Sequence, residues 1–433
     1  MNSLMSGRIL IPLFIVFFLP ACAQKQYKFE YIQQPIQAEQ KNTLNKLSTS
    51  KEKSPGQGSF NEQEIVWPPA PDKARYRYLG DIVGERNFKE IEGSEGGIRK
   101  GISWLGRFIF GVAAPMQLYR PQSGAFDKKN NRIFVTDVGL KKVFVFDLTT
   151  KQLTTWEGGG LEQSFMTPIA IAILASGDVL ITDADLGQVL RFDEQGKYLG
   201  VLGQLVSEQK NTNKHQVKEK QNGEVAYESG DNLSNNLSNS PIINDDKKRT
   251  ALARQKLLRP TGIAYDPETR KIFVADSQTH QVHIFSENGQ WLSAFGGKGA
   301  KNGKFNSPTH LFIADKTLFV SDTLNARIQQ FDVKANWLHS FGQRGLKVGN
   351  TPRPKGIAVD SDANIYVVES YYDHLLMFNV KGEALMAIGG TGSEPGKFDL
   401  PAGVWVDDSD KVYVADMFNQ RISVFQYLSE NDK

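Results

Sequence analysis

Acidic residues recur at a regular interval along the chain, and they are the first candidates for chemistry. Each ends a short apolar run such as KIFVAD, and the six are Asp137, Asp183, Asp276, Asp322, Glu369 and Asp416. If the fold brings these carboxylates together around one opening, which we call the mouth, they could hold a metal ion or catalyse a reaction. An aspartate at such a position can instead accept hydrogen bonds from backbone N–H groups of its own turn. We expect this structural role for the five aspartates, with Glu369 as the exception because its side chain is longer.

A second regularity accompanies these acids. The residue five positions after each one is basic or polar, and we expect the two to pair. The six residues are Lys142, Gln188, Gln281, Arg327, His374 and Arg421.

Histidine gives little support for a metal centre. Only His280, His310 and His374 could reach the mouth that the acids share, whereas zinc needs about three protein ligands and a water. The sequence also contains no GxSxG, HExxH or P-loop motif. We therefore predict no metal and no cofactor, and we leave open whether the protein is an enzyme.

The elements that position these residues repeat six times. The copies are RIFVTDVGLKKVFVFD (132–147), DVLITDADLGQVLRFD (178–193), KIFVADSQTHQVHIFS (271–286), TLFVSDTLNARIQQFD (317–332), NIYVVESYYDHLLMFN (364–379) and KVYVADMFNQRISVFQ (411–426). A proline opens a further strand ahead of each copy, at Pro121, Pro168, Pro260, Pro308, Pro354 and Pro401. The prolines are 46–48 residues apart, except for one step of 92 that contains an insertion.

Each unit contains four short strands, which predicts an all-β, six-bladed β-propeller over residues 67–428. The sixth copy ends after its third strand. The missing strand is present near the other end of the chain as RYLGDIVG (77–84), so we expect residues 75–84 to close blade six. In such a ring, the turn between strands two and three lies on the same face as the connection between blades.

The unit resembles the NHL repeat, most closely in ADMFNQRI (415–422), SDTLNARI (321–328), RPTGIAYD (259–266) and RPKGIAVD (353–360). WPPAPDKARYRYLGDI (67–82) resembles the opening of lipid-anchored bacterial members. The resemblance implies the fold rather than the activity, since this fold carries scaffolds, RNA binders and lyases. Some lyases of this type hold zinc with histidines directly after the blade-opening proline. Those positions here are Gln122, Ile169, Thr261, Thr309, Lys355 and Ala402.

The N-terminus predicts export. A basic residue and an apolar run precede Leu-Pro-Ala-Cys22, which resembles a bacterial lipobox; the alternative is an ordinary secretory signal with an incidental cysteine. We expect residues 1–22 to be a signal peptide, Cys22 to carry the lipid, and residues 23–66 to be a flexible polar tether. Ala23 after the cysteine favours the outer membrane, facing the periplasm or the cell surface.

Two further segments interrupt the ring. Residues 95–112 are predicted to be a helical segment ahead of the first blade, and residues 205–256 are predicted to be a disordered insertion.

The formal net charge is only +3, which with export disfavours nucleic acid as a partner. We expect a monomer.

These patterns favour a lipid-anchored scaffold of the cell envelope that docks a protein or peptide on the loop-rich face. The alternative is a metal-assisted lactonase or lyase of the gluconolactonase or streptogramin-lyase type. Aromatic and basic residues gathered on a polar rim are typical of interfaces. The candidates for ligand or partner binding are Glu369, Tyr371, Tyr372, His374, Phe418, Asn419, Arg421, Asn325, Arg327 and His310. The alternative for the aromatic residues is that they fold down and cap the propeller.

Overall fold

A computed structural model describes residues 26–33, 64–90, 115–159, 164–203 and 257–429. The predicted signal peptide with Cys22, the helical segment 95–112 and the insertion 205–256 lie outside these ranges. Among the described residues the helices are two single 3₁₀ turns, Glu85–Asn87 and Thr323–Asn325. No helix in these ranges has the length and apolar character needed to cross a membrane.

The described strands form six sheets of at least four strands and one two-stranded sheet. Four strands precede the first blade: β1 (Tyr27–Phe29), β2 (Val66–Trp67), β3 (Tyr76–Ile82) and β4 (Phe88–Glu90). Blade 1 contains β5 (Pro121–Asp127), β6 (Arg132–Asp137), β7 (Lys142–Asp147) and β8 (Gln152–Trp156). Blade 2 contains β9 (Pro168–Ile173), β10 (Val179–Asp183), β11 (Gln188–Phe192) and β12 (Tyr198–Val201). Blade 3 contains β13 (Pro260–Asp266), β14 (Lys271–Asp276), β15 (Gln281–Ser286) and β16 (Trp291–Gly296).

The second half of the ring repeats this pattern. Blade 4 contains β17 (Pro308–Ala314), β18 (Thr317–Asp322), β19 (Arg327–Asp332) and β20 (Trp337–Phe341). Blade 5 contains β21 (Pro354–Val359), β22 (Ile365–Glu369), β23 (His374–Phe378) and β24 (Ala384–Gly389). Blade 6 contains β25 (Pro401–Val406), β26 (Lys411–Asp416) and β27 (Arg421–Tyr427), and β3 and β2 extend it to five strands.

The innermost strand of every blade begins at a predicted proline, and these strands contact one another in a ring in which β25 meets β5. The six-bladed propeller is therefore confirmed. Proline suits the first position of a strand because it has no N–H to give to the ladder. Alternating apolar side chains on each sheet pack against the next blade, as Phe134 of blade 1 packs with Ile171 and Phe192 of blade 2. Full burial of each contributes roughly 1.5–3 kcal/mol.

The strand that closes the ring is also confirmed. β3 pairs antiparallel with β27, with Ile82 opposite Ile422 and Tyr76 opposite Tyr427. A buried polar network reinforces the pairing: Arg421 Nη1 donates to Asp81 Oδ2 at 3.2 Å, and Ser423 Oγ donates to Asp81 Oδ1 at 3.0 Å. Side-chain bonds thus join the two distant parts of the chain in addition to the ladder.

Part of the range assigned to the tether belongs to the folded body. β1 pairs with β4, and Ile32 forms a β-bridge with Asp81. Phe29 and Tyr31 pack on the core cluster between blades 6 and 1, which explains why residues 26–33 attach there. Val66 and Trp67 likewise form β2. The rest of the predicted tether lies outside the described residues.

The propeller has two faces, which we name by their residues. The proline face carries the blade-opening prolines, the connections between blades and the turns between second and third strands, such as residues 138–141 and 370–373. The opposite face carries the turns between first and second strands and between third and fourth strands, such as residues 128–131 and 333–336. All six recurring acids end a second strand, so they lie at the proline face.

Candidate functional site

The recurring acids bind backbone N–H groups. Asp276 is fully buried and accepts from Leu258 N at 2.6 Å, Arg259 N at 3.2 Å, Gln278 N at 3.0 Å and Thr279 N at 3.1 Å. Asp137 binds the matching N–H groups of blade 1. Each such carboxylate joins the connection that enters a blade to the turn after that blade's second strand. The bonds expected within each acid's own turn are confirmed for Asp137, Asp183 and Asp276. Asp322 and Asp416 instead bind the side-chain amide of an asparagine in that turn and one N–H of the connection.

Glu369 makes the same bonds, so the expectation that it would be an exception is wrong. Its Oε1 accepts from Arg353 N at 2.9 Å and Tyr371 N at 3.0 Å, and its Oε2 accepts from Tyr372 N at 2.9 Å. The extra methylene still allows the carboxylate to reach both backbone segments. Burial raises the pKa of Glu369, and the three backbone bonds act against that shift.

The expected pairing of each acid with the residue five positions on occurs in blades 4 and 6. Arg327 Nε lies 2.9 Å from Asp322 Oδ2, and Arg421 Nε lies 2.8 Å from Asp416 Oδ2. In blade 1 the expectation is wrong, because Lys142 pairs with Glu157 at 2.7 Å.

Several predicted binding residues have their polar atoms engaged inside the fold. Arg421 is 1% exposed and also donates to the carbonyl oxygens of Ser393 and Lys397. Arg327 donates to the carbonyls of Lys301 and Lys304. Two asparagines bind both an acid and a neighbouring carbonyl, and these are Asn325 and Asn419. With the buried Glu369, these residues offer a partner little surface, and we leave them out of the proposed binding surface.

His310 is largely buried, so it offers a partner little surface. It is 7% exposed on the inner strand β17, where its Nδ1 lies 3.0 Å from Thr309 Oγ1. Burial, with a smaller contribution from the positive charge of Lys355, lowers the pKa of His310 to about 3. The imidazole is therefore neutral at physiological pH.

The predicted aromatic residues lie on the surface of the proline face in two groups. In blade 5, Tyr371 is 60% exposed and its ring packs edge-on against that of Tyr372 at 4.8 Å, with His374 beside it. In blade 6, Phe418 is 49% exposed and the guanidinium of Arg120 lies 5.6 Å above its ring. Tyr371 and Phe418 thus keep about half of their surface available.

Many other apolar side chains share this face, and most of them were not predicted from the sequence. Ten of the exposed large apolar residues in the described ranges lie on it: Met116, Tyr119, Leu140, Met166, Leu258, Leu324, Leu346, Val348, Tyr371 and Phe418. Val380 lies in a turn of the opposite face. The other six lie on β1 or on the outermost strand of a blade, and they are Tyr27, Leu199, Leu292, Trp337, Leu338 and Leu385. A signal was present, because Tyr119, Met166 and Leu258 stand two residues before a blade-opening proline, and Leu324, Tyr371 and Phe418 stand two residues after a recurring acid. Large exposed apolar patches mark interaction sites.

Acids and histidines of the same region are the candidates for metal ligands. In the ranges that the structure covers, no three His, Cys, Asp or Glu side chains are grouped as metal ligands. A metal held by the mouth acids, as in the lactonase or lyase alternative, would compete with hydrogen bonds that each of the six makes within its own fold.

Comparison with known proteins supports the repeat. The family model described as "NHL repeat" matches residues 257–285, which cover the start of blade 3 through most of β15. No curated protein matches the chain. The solved structures that it resembles include a virginiamycin B lyase from Staphylococcus aureus, with 12% identity, a TM-score of 0.45, and coverage of 71% of this chain and 95% of that one.

Another similar structure is an auxiliary nutrient binding protein from Bacteroides thetaiotaomicron VPI-5482. The identity is 11% and the TM-score 0.49, and the match covers 72% of this chain and 70% of that one. Likeness at this level does not extend to what either protein binds or cleaves.

Proposed function

We propose that this six-bladed β-propeller with an NHL repeat is a binding protein of the cell envelope, which docks a protein or peptide on its proline face. The observation that carries the proposal is the concentration of exposed apolar and aromatic side chains on that face. Aromatic residues, methionine and arginine are enriched in interfaces. Tyr119, Tyr371, Phe418, Met166 and Arg120 supply these types here.

The backbone beneath the proposed surface is held by buried acids rather than by the exposed side chains themselves. Asp137 fixes Tyr119 N and Leu140 N, and Glu369 fixes Tyr371 N. A surface held in its binding shape in advance loses less conformational entropy when a partner docks. The exposed side chains can therefore contact a partner without any change in the blade.

The position in the cell is part of the same proposal. We infer that Cys22 carries a lipid and that the propeller is anchored to the outer membrane, on the evidence of the N-terminal sequence. Stable anchoring takes two acyl chains, and a diacylglycerol supplies them. In cell fractionation, the Cys22→Ser protein should leave the membrane pellet. Retention as firm as that of the wild type would argue against the anchor.

The docking face can be tested with a matched pair of positions in blade 4. A photo-crosslinking amino acid replaces Leu324, on the proline face and 47% exposed, or Lys334, in a turn of the opposite face. We expect a discrete crosslinked product from position 324 and none from 334. The same product from both positions, or from 334 alone, would contradict the proposal.

A further inference from the structure

Lys355 lies at the start of the inner strand of blade 5, where the ladder is irregular. Pro354 pairs with Glu369 and Ile357 with Val367, so Lys355 and Gly356 form a bulge between the two pairs. The same irregularity follows the opening proline of the other blades, so the bulge belongs to the fold and the residue that it carries is what distinguishes blade 5. The equivalent positions of the other blades hold uncharged residues, which are Gln122, Ile169, Thr261, Thr309 and Ala402.

Lys355 is half-buried. Among the described residues, no carboxylate pairs with it. Burial, together with the positive charge of Arg353, lowers the pKa of Lys355 to about 8. A cation removed from water is ordinarily paired, because desolvation of an isolated charge is costly. An anion bound beside Lys355 would therefore supply the counter-charge that its ammonium group lacks.

The neighbouring blade offers Lys355 no negative charge. Thr323 Oγ1 donates to Pro354 O at 2.8 Å, so Thr309 must donate to Thr323 Oγ1 at 2.6 Å. His310 Nδ1 must then donate to Thr309 Oγ1. The wall of blade 4 beside the bulge is thus a neutral, hydrogen-bonded network that holds the carbonyl of Pro354 in place.

A second cation lies two residues away at the rim. Three arginines directly precede a blade-opening proline. Arg259 pairs with Asp185 at 2.7 Å, and Arg120 lies over the rings of Tyr119 and Phe418. Arg353 is exposed, and in the described part of the chain neither a carboxylate nor an aromatic ring lies against its guanidinium.

Glu369 joins Arg353 to the aromatic pair of the same blade. Its carboxylate binds the backbone N–H groups of Arg353, Tyr371 and Tyr372, so the rim cation and both rings belong to one fixed corner. We call Arg353, Lys355, Tyr371 and Tyr372 the blade 5 corner. It combines two cations that lack a counter-charge with aromatic surface. The two acids nearby, Glu369 and Asp373, are buried and accept hydrogen bonds within the fold.

We propose that the blade 5 corner binds a carboxylate presented by the docked partner, namely an acidic side chain or the C-terminal carboxylate of a peptide. Lys355 and Arg353 pair with the carboxylate, and the two tyrosines pack against the adjoining residues. The inference rests on the proposed function, and it adds the chemistry by which the partner is recognised. Charge-assisted hydrogen bonds of this kind are among the strong ones.

The test uses the full chain with two probes, a labelled pentaglutamate peptide and acetate, and pentaglutamine as the uncharged control. Fluorescence anisotropy should show saturable binding of pentaglutamate at pH 7 that weakens as the pH rises through about 8, where Lys355 loses its charge. Lys355→Met should weaken binding about tenfold, and Arg353→Gln severalfold. Arg259→Gln is the matched control, and it should leave pentaglutamate binding unchanged.

The pKa of Lys355, measured from the pH dependence of its acylation, gives a readout that is independent of affinity. Pentaglutamate should raise it. An ordinary pKa of about 10.4 in the protein without a probe would mean that the chain already supplies a counter-charge, and would overturn the proposal. Binding of acetate but not of pentaglutamate would overturn the partner as the source. Loss of the Leu324 crosslink, in contrast, bears on the docking face and leaves the carboxylate measurement intact.

Discussion

The two faces of the propeller use aspartates differently. On the opposite face, Asp332 accepts from Lys334 N and Asn336 N of its own turn, and Asp407 accepts from Ser409 N and Lys411 N. On the proline face, Asp276 also reaches Leu258 N, which lies 18 residues away in sequence. Local turns thus close one face, whereas longer connections are tied together on the other. This arrangement leaves the side chains of the proline face available for contact with other molecules.

The largest effect should come from the buried ion network of the proline face. Arg421→Met leaves the carboxylates of Asp81 and Asp416 buried without their shared cation, which costs roughly 3–5 kcal/mol of unfolding free energy. The control is Lys128→Met on the opposite face, whose exposed ion pair with Asp408 should contribute less than about 1 kcal/mol. Urea denaturation measures both variants, and equal losses would contradict the comparison.

The turn-binding aspartates provide the next test. Asp276→Ala leaves four partly buried backbone N–H groups without their acceptor, and we expect a loss of roughly 3 kcal/mol. Asp332→Ala affects a solvated turn, where water replaces the carboxylate, and should cost about 1 kcal/mol. If denaturation ranked the two variants the other way, the structural importance of the proline-face acids would be refuted.

The interior should respond to acid. His310 binds a proton less readily in the folded chain, where its pKa is about 3, than when unfolded, where it is 6.5. Its contribution to stability is therefore present above about pH 6.5 and is lost as the pH falls from there toward 3. The loss should approach ~2 kcal/mol at pH 5, from about 1.4 kcal/mol per pH unit. His310→Asn should flatten the curve of unfolding free energy against pH, and an unchanged slope would show that His310 is not its source.

The smallest change in stability should come from the exposed rim. Tyr371→Ala combined with Phe418→Ala should lower the unfolding free energy by less than about 1 kcal/mol, because both rings are half exposed. The double variant should nevertheless abolish the crosslink from position 324, whereas Val380→Ala on the opposite face should not affect it. A large drop in melting temperature would assign the two rings to the fold.

The sequence was sufficient for the parts of the molecule that depend on local patterns. Period, strand alternation and the position of the prolines predicted the blades, and RYLGDIVG predicted the closing strand. It was harder to predict which side chains of the proline face are exposed, because Arg421 and Phe418 have similar sequence surroundings. Arg421 is buried and pairs with Asp81, a residue 340 positions away in sequence, whereas Phe418 stays at the surface. Contacts over such a distance leave no trace in a local pattern.

The pairing of β3 with β27 also has a consequence in time. The first strand of the ring is made long before its partner, and at about 5–20 residues per second the 340 intervening residues take roughly 20–70 s to synthesise. During that interval β27, the strand that β3 pairs with, has not been synthesised, and blade 6 cannot form. Contacts so distant in the chain also slow folding through the entropy of loop closure. The ring can therefore be completed only after the whole propeller has been made, and in a growing chain the edge of β3 that joins β27 stays without its partner until then.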